Sequence, residues 1–251
     1  MPSLWFIVPA HGRLPLARIC LHQLRRTCDE LEREGVRASA VVVACDENLD
    51  TARDLGFATV ERDNRFVSRR FNDGIQLATD PQFNPHPVDY VVPVGSDDWV
   101  DWRLFLEHEL PRPNTMYGFQ RMAFVREDGR ELTVRHINSR GGCGIRVWPR
   151  QIMKRVGYRP ADEDRRRGCD TSMLVNIDRA LGDVRVISRD IDPLQIVDWK
   201  TAGANLNPYD SLARHKQELA RDPFEILRGR YPADALLEME AHYAGVELIA
   251  A

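Results

Sequence analysis

The chain has 251 residues, 43% of them hydrophobic, which is enough to build one sizeable hydrophobic core. Its 35 basic and 38 acidic side chains leave a formal net charge of -3, so net charge does not support a nucleic-acid or membrane partner. The first residues lack the features of a secretory signal, and no apolar run reaches the ~20 residues that span a bilayer. The cysteines form no C-x-x-C pair, which favours a reduced interior. We expect a soluble, cytoplasmic protein.

Short apolar runs alternate with amphipathic stretches over the first hundred residues. The apolar runs predict buried strands at 4–9, 39–45, 57–61 and 89–94, and the amphipathic stretches predict helices at 14–34, 50–55 and 66–79. Strands that alternate with helices imply right-handed crossovers. We therefore predict an α/β fold with a mostly parallel central sheet that is flanked by helices on both faces.

The pattern changes after residue 100. Asp128 and Gly129 stand between two alternating runs and predict a hairpin. Gly141 and Gly142 precede another predicted strand and short helix. A helix over 170–181, strands at 183–189 and 194–199, and a mostly helical tail from Pro208 follow.

Polar residues follow three of the predicted strands: PAHGR at 9–13, CDEN at 45–48 and GSDDW at 95–99. In open parallel sheets, ligands bind beyond the carboxyl ends of the strands. Asp46 and the adjacent Asp97 and Asp98 should therefore share one rim. Neighbouring carboxylates repel each other and lose hydration at the edge of a core, so the pair must either face water or share a cation.

A purely structural explanation of GSDDW stays open. The segment could be a polar turn that leads into a helix at Trp102, with Asp101 as its N-cap. Trp99 could pack beneath the loop or shield the site, and we expect packing, because a lone aromatic residue in such a position is usually part of the core.

Taken in order, these segments resemble the GT-A glycosyltransferases, most closely the family 2 group. VPAHGR is similar to the V-P-x-x-N-R-like segment of those proteins, SRRFNDGIQLA at 68–78 is loosely similar to their A-R-N-x-G-like signature, and GSDDW is similar to their D-x-D motif, with Gly95 where the first Asp is common. The resemblance runs from about residue 4 to 181. It implies a GT-A-like catalytic domain over 1–205, with a nucleotide-binding half at 1–100 and an acceptor half at 101–205, and a C-terminal helical extension at 206–251.

The resemblance also implies a function. The chain would transfer a sugar from a nucleotide-diphosphate donor to a hydroxyl acceptor, with inversion and with Mn²⁺ or Mg²⁺ as cofactor. Carboxylates that hold such a cation neutralise the diphosphate as the glycosidic bond breaks. Asp97 and Asp98 would bind the metal. The donor would be bound by Pro9, His11, Arg13, Asp46, Arg69, Asn72, Ser96 and Asp97.

Transfer with inversion needs a base that takes the proton of the acceptor hydroxyl. The resemblance places it at Asp170, where Cys169 replaces the Glu of an E-D-like pair, although Asp170 could equally be a helix N-cap. Residues 159–168 form an arginine-rich stretch that could be a lid or a solvated charge run. Asp198 and Lys200 end a late strand, where some family members supply another metal ligand or phosphate contact.

Two other functions use the same architecture. A sugar nucleotidyltransferase would carry a glycine-rich loop after the first strand, and PAHGRLP does not supply one. A non-catalytic nucleotide-sugar or carbohydrate-binding module would explain the missing first Asp of the motif.

Overall fold

The computed structural model describes residues 1–110, 112–136, 145–166, 168–182, 184–201, 218–220 and 222–246. Gly141 and Gly142, Arg167 of the arginine run and residues 202–217 lie outside the described residues.

The described strands are β1 Ser3–Pro9, β2 Arg37–Ala44, β3 Ala58–Glu61, β4 Tyr90–Pro93, β5 Asp98–Val100, β6 Thr115–Phe119, β7 Arg121–Val125, β8 Leu132–His136, β9 Arg146–Pro149, β10 Arg185–Arg189, β11 Ile196–Trp199 and β12 Glu218–Ala220. The described α-helices are α1 Leu14–Arg33, α2 Asn48–Asp54, α3 Val67–Thr79, α4 Arg150–Arg155, α5 Cys169–Leu181, α6 Pro223–Leu227 and α7 Ala233–Ala244. Short 3-10 helices cover Trp102–Phe105 and Pro193–Gln195.

The first sheet has the strand order β10-β6-β9-β4-β1-β2-β3. β1 pairs in parallel with β2 and β4, and the β2–β3 and β6–β10 pairs are also parallel. Only β9 runs against its neighbours among the described strands of this sheet. The predicted mostly parallel sheet is therefore confirmed, and the carboxyl ends of β1, β2 and β4 lie at one rim.

Alternating side chains of β1 enter two different cores. Phe6 and Val8 pack with residues of α1 and α2, whereas Ile7 packs with residues of α3, α4 and α5. This alternation follows from the two-residue period of a strand. The first sheet is thus covered by helices on both faces, as predicted.

The second sheet, with the order β12-β8-β7-β11-β5, was not predicted as a separate layer. Its β7–β8 hairpin confirms the turn at Asp128 and Gly129, where Gly129 has a φ of +69°. The apolar run before this turn is divided at Gln120, because β6 joins the first sheet and β7 the second.

The C-terminal helices pack behind the second sheet. Trp99 of β5 and Trp199 of β11 contact each other edge to face, with ring centroids 4.9 Å apart, in a core that also contains residues of α1, α6 and α7. The Tyr243 hydroxyl donates to the Lys200 carbonyl at 2.7 Å. The tail also supplies β12, where a mostly helical segment was predicted. No described helix is long and apolar enough to cross a membrane.

Candidate metal centre at the sheet junction

A pair of strands from opposite halves of the chain brings three carboxylates together. β4 ends at Pro93, and the chain passes through Gly95–Asp97 into β5 of the second sheet. There Asp98 pairs directly with Asp198 of the antiparallel β11. Asp97, Asp98 and Asp198 each offer a carboxylate oxygen, and these oxygens lie within 4.8 Å of one another. Like charges in opposed strand positions destabilise a sheet, so this arrangement needs compensating positive charge.

Gly95 makes room for two of these carboxylates. Its backbone N–H donates to Asp98 Oδ2 at 2.7 Å. A Cβ atom at this position would lie 2.8 Å from Asp97 Oδ1 and 2.8 Å from Asp98 Oδ2, which is too close for either contact. A side chain at residue 95 would therefore displace the carboxylates. The third carboxylate of the cluster comes from Asp198 on β11.

Two cationic side chains of the protein contact this cluster. Arg13 donates to Asp97 Oδ2 at 2.6 Å and to Ser96 Oγ at 3.1 Å. Lys200 Nζ lies 2.5 Å from Asp198 Oδ2. Arg13 has a φ of +49°, which is uncommon for a residue with a side chain. The three acids thus have two cationic partners of their own, and Asp98 has only the backbone donor of Gly95 among the described residues.

The pKa values of the acids reflect this crowding. Burial, followed by the repulsion of Asp198 and Asp97, raises the pKa of Asp98 well above its ordinary value. Burial raises the pKa of Asp198 to about 6, although Lys200 opposes the shift. The carboxylates are therefore held in a position that costs free energy when they are ionised.

The donor atoms fit a hard divalent cation. Asp198 Oδ1 is buried and has no hydrogen-bond partner among the described residues. Carboxylate oxygens are the ligands that Mg²⁺ and similar cations prefer. An unpartnered buried acceptor beside two further carboxylates is what a cation site requires.

Asp46 lies on the same rim and holds the loop between β1 and α1. Its Oδ2 accepts from Gly12 N at 2.7 Å, and its Oδ1 accepts from Asn48 Nδ2 at 2.7 Å. His11 Nδ1 lies 3.4 Å from the same carboxylate. The loop begins at Pro9, the last residue of β1, and ends at Arg13, so it connects Asp46 with Asp97. The predicted residues of this loop and both acidic sites therefore lie on one rim, as expected.

The buried arginine at this rim is Arg70. Its side chain donates to the Ala10 carbonyl at 2.8 Å. Among the described residues, its Nε has no hydrogen-bond partner and no carboxylate forms an ion pair with it. Arg69, the predicted donor-binding residue, points outward and lies 2.6 Å from Asp164. The sequence feature that indicates an inward-facing Arg70 is its spacing to Gly74, four residues later. A Cβ at Gly74 would lie only 2.6 Å from the Ile7 side chain, so Gly74 faces the sheet. Residues four apart share a helix face, so Arg70 is on the face towards the sheet.

The arginine-rich stretch lies against α3. Asn72 exchanges two hydrogen bonds with the backbone of Ala161, both at 2.9 Å, and donates to Glu163 at 3.0 Å. Ser68 Oγ accepts from Arg165 N at 2.9 Å. The amide of Asn72 thus attaches this stretch to α3, and its predicted contact with the donor stays a prediction.

The structure also tests the structural roles predicted for Asp101, Trp99 and Asp170. Asp101 caps the 3-10 helix at Trp102 by accepting from Arg103 N at 3.0 Å, and Trp99 is buried, so both of those predictions are confirmed. The alternative N-cap role of Asp170 is wrong, because Gly168 occupies that position of α5 and Asp170 lies within the first turn. Asp170 is half-buried, and its role as a base stays a prediction.

Comparison with known proteins gives matches among solved structures only. No protein-family model and no curated protein matches the chain. Glucosyl-3-phosphoglycerate synthase from Mycobacterium tuberculosis, solved with Mn²⁺ and UDP-glucose, has a TM-score of 0.51 and 10% identity over 85% of this chain and 76% of its own. A mycobacterial protein has a TM-score of 0.51 and 13% identity over 82% of this chain and 70% of its own. Drosophila beta-1,4-galactosyltransferase 7 has a TM-score of 0.48 and 15% identity, over 92% and 81%.

These likenesses show the fold. The chain has the GT-A fold, with a central sheet flanked by helices, and the prediction of that fold is confirmed. Fold alone does not define an activity, which must be argued from the side chains of the site.

Proposed function

We propose that this chain is a glycosyltransferase that moves a sugar from a nucleotide-diphosphate donor to a hydroxyl acceptor, with Mn²⁺ or Mg²⁺ as cofactor. The observation that carries the proposal is the cluster of Asp97, Asp98 and Asp198, with its unpartnered Asp198 Oδ1, at the rim of a GT-A fold. The complex of the mycobacterial synthase with Mn²⁺ and UDP-glucose supports a uridine nucleotide as the first donor to test.

The three aspartates would hold the cation. A bound divalent cation supplies positive charge that stabilises the diphosphate leaving group. Arg13 pairs with Asp97 and Lys200 pairs with Asp198, so both side chains lie beside the proposed cation site. Ser96 is buried against Arg13 and shapes the same wall.

Arg70 provides a second anion-binding group. A buried guanidinium without a carboxylate partner is costly, and an incoming phosphate would supply the missing negative charge. Its bond to the Ala10 carbonyl directs the side chain towards the loop between β1 and α1. Arginine suits this role because its planar group can donate two hydrogen bonds to one phosphate. We therefore add Arg70 to the predicted donor-binding set.

Asp46 would position the nucleoside. Its carboxylate fixes Gly12 and Asn48, and so sets the shape of the loop that carries Pro9 and His11. A carboxylate has about four acceptor positions, so Asp46 retains capacity for a donor group of the base or ribose.

Asp170 would act as the base for the acceptor hydroxyl, with inversion at the sugar carbon. It lies in the first turn of α5. The hydroxyl would lose its proton to Asp170 as its oxygen forms the new glycosidic bond and the nucleoside diphosphate departs.

Calorimetric titration with UDP tests the proposal. We expect binding that requires Mn²⁺ or Mg²⁺ and is abolished by EDTA. Asp198→Asn should weaken the Mn²⁺-dependent binding about 100-fold, because a cation ligand is lost. The matched control Asp190→Asn removes an exposed acid near the end of β10 and should leave binding unchanged.

Turnover separates an enzyme from a binding module. Slow release of UDP from UDP-sugars in the presence of Mn²⁺, lost in Asp198→Asn, would support transfer chemistry. A panel of guanosine and thymidine diphosphates covers other donors. Nucleotide binding that ignores both Mn²⁺ and the Asp198 substitution would contradict the proposed cation site.

A further inference from the structure

The C-terminal helix α7 reaches the end of β11 through the side chain of Tyr243. The Tyr243 hydroxyl donates to the Lys200 carbonyl at 2.7 Å, across 43 residues of the chain. The backbone N–H of Lys200 donates to the Val125 carbonyl at 3.1 Å. Both backbone groups of Lys200 are therefore fixed, one by the neighbouring strand β7 and the other by a side chain of α7.

Two neighbours hold the ring of Tyr243 in place. The ring packs against the tip of the β7–β8 hairpin, where a Cβ atom at Gly129 would lie 2.7 Å from Tyr243 Cγ. Its centroid also lies 6.0 Å from that of Trp199, the residue between Asp198 and Lys200. These contacts direct the hydroxyl towards the Lys200 carbonyl.

The position of Lys200 is important because its charge lies beside the acidic cluster. Lys200 is only 5% exposed. Its Nζ lies 2.5 Å from Asp198 Oδ2 and 5.6 Å from the centroid of the Phe124 ring. An ammonium group at this place neutralises part of the charge that attracts a cation. A change in how firmly the Lys200 backbone is held would therefore change the affinity of the site for a cation.

We propose that Tyr243 is a positioning residue of the cation site. Its hydrogen bond fixes the Lys200 backbone, and the fixed Lys200 ammonium group competes with a cation for Asp198. This inference rests on the proposed function and adds α7 to the elements that tune the site. A purely structural Tyr243 would stabilise the folded chain and leave this competition unchanged.

Tyr243→Phe tests the proposal, because it removes the hydroxyl and keeps the ring. We expect the affinity for Mn²⁺, measured by electron paramagnetic resonance, to rise about threefold, since a less firmly held ammonium group competes less. In the Lys200→Met background, the same substitution should not change the affinity, because the side chain that Tyr243 positions is absent. Wild-type affinity in Tyr243→Phe, or additive effects of the two substitutions, would overturn the proposal.

Tyr231 offers a matched control in the same core. Its hydroxyl donates to the Leu194 carbonyl at 3.0 Å, and its ring centroid lies 5.0 Å from that of Trp99. Tyr231→Phe should lower the resistance to urea by an amount similar to Tyr243→Phe and leave the affinity for Mn²⁺ unchanged. An equal change of affinity in both variants would assign the effect to the core, and would contradict a specific role of Tyr243.

Chemical labelling of lysines gives a readout that needs no metal. Lys154, exposed on α4, is the internal reference for acetylation by N-hydroxysuccinimide acetate. Lys200 should react slowly in the cation-free wild type because it is buried, and about threefold faster in Tyr243→Phe but not in Tyr231→Phe. Unchanged protection of Lys200 in Tyr243→Phe would overturn the proposal. A wild type that binds no Mn²⁺ would refute the proposed function, and the labelling would still decide whether Tyr243 fixes Lys200.

A second pair of variants disturbs the same hydrogen bond from the hairpin. The Cβ atom of Gly129→Ala would push against the Tyr243 ring. Gly157 has a φ of +67°, close to the +69° of Gly129, and no described atom lies within 4 Å of an added Cβ there. Alanine is therefore strained at both positions, but only Gly129→Ala should speed the labelling of Lys200. Equal labelling of Lys200 in Gly129→Ala and Gly157→Ala would contradict the proposal.

Discussion

Two acidic sites on the same rim differ in how the protein satisfies them. The Asp46 carboxylate accepts hydrogen bonds from Gly12 N and from both nitrogens of Asn48, at 2.7 to 3.2 Å. The Asp97–Asp98–Asp198 cluster instead packs three carboxylates within 4.8 Å, with one buried oxygen unpartnered among the described residues. Donors of the chain itself bind the first carboxylate, whereas no described donor reaches Asp198 Oδ1 in the second site.

This difference separates an acid that the fold itself stabilises from acids that the fold crowds together. Hydrogen bonds to a carboxylate contribute to stability, so the Asp46 site stabilises the loop with or without ligand. Crowded carboxylates destabilise the folded chain, and the proposed cation would relieve this repulsion. Substitutions at the two sites should therefore have opposite effects on the stability of the cation-free protein.

The largest effect is expected from Asp46→Ala. This change leaves Gly12 N and the buried Asn48 side chain without their acceptor, and should lower the free energy of unfolding by roughly 2 kcal/mol. Urea denaturation in EDTA measures it. Asp46→Asn retains one acceptor oxygen and should cost less. A stability equal to that of the wild type in Asp46→Ala would remove the distinction between the two sites.

A smaller effect, on affinity, is expected from Lys200→Met. The Lys200 ammonium group lies 2.5 Å from Asp198 and neutralises part of the negative charge that would attract a cation. Its removal should tighten Mn²⁺ binding about tenfold, because repulsion between Lys200 and the bound ion is lost. Mn²⁺ titration by electron paramagnetic resonance measures this change.

Lys154→Met is the matched control for that experiment. Lys154 is exposed on α4, far along the chain from the acids, and its loss should not alter the affinity. Weaker Mn²⁺ binding by Lys200→Met would instead show that Lys200 is needed to hold Asp198 in place.

Local sequence patterns predict the first acidic site and two of the three acids of the second, for a physical reason. β1 to β4 are continuous apolar runs joined by helices, and local periodicity places Asp46, Asp97 and Asp98 at the ends of parallel strands. Even the packing of Trp99 follows from local chemistry.

Asp198 could not be assigned in the same way. It meets Asp98 only because β11 pairs with β5 across about 100 residues, and no local pattern encodes that register. The apolar run that Gln120 divides between two sheets could not be predicted for the same reason, because the division depends on pairing between distant strands. Which of Arg69 and Arg70 faces the sheet could have been predicted, because Arg70 and Gly74 are four residues apart and share one face of the helix.

The smallest effect has the opposite sign. Asp98→Asn should raise the free energy of unfolding of the cation-free protein by about 1 kcal/mol at pH 7.5, because it removes the charge that opposes Asp198 and Asp97. An asparagine oxygen can still accept from Gly95 N. The gain should depend on pH. Burial and the neighbouring acids raise the folded-state pKa of Asp98, so its ionisation disfavours folding at pH values above the unfolded pKa of about 4.

The wild type should therefore lose stability relative to Asp98→Asn as the pH rises from about 4 through the folded pKa, and the two proteins should converge at lower pH. Urea denaturation in EDTA from pH 4 to 8 measures the difference. Asp97→Asn provides the contrast, since Asp97 is paired with Arg13 at 2.6 Å and its loss should bring no such gain. A lower stability of Asp98→Asn at neutral pH, or a gain that does not change with pH, would mean that repulsion within the cluster is already relieved without a cation.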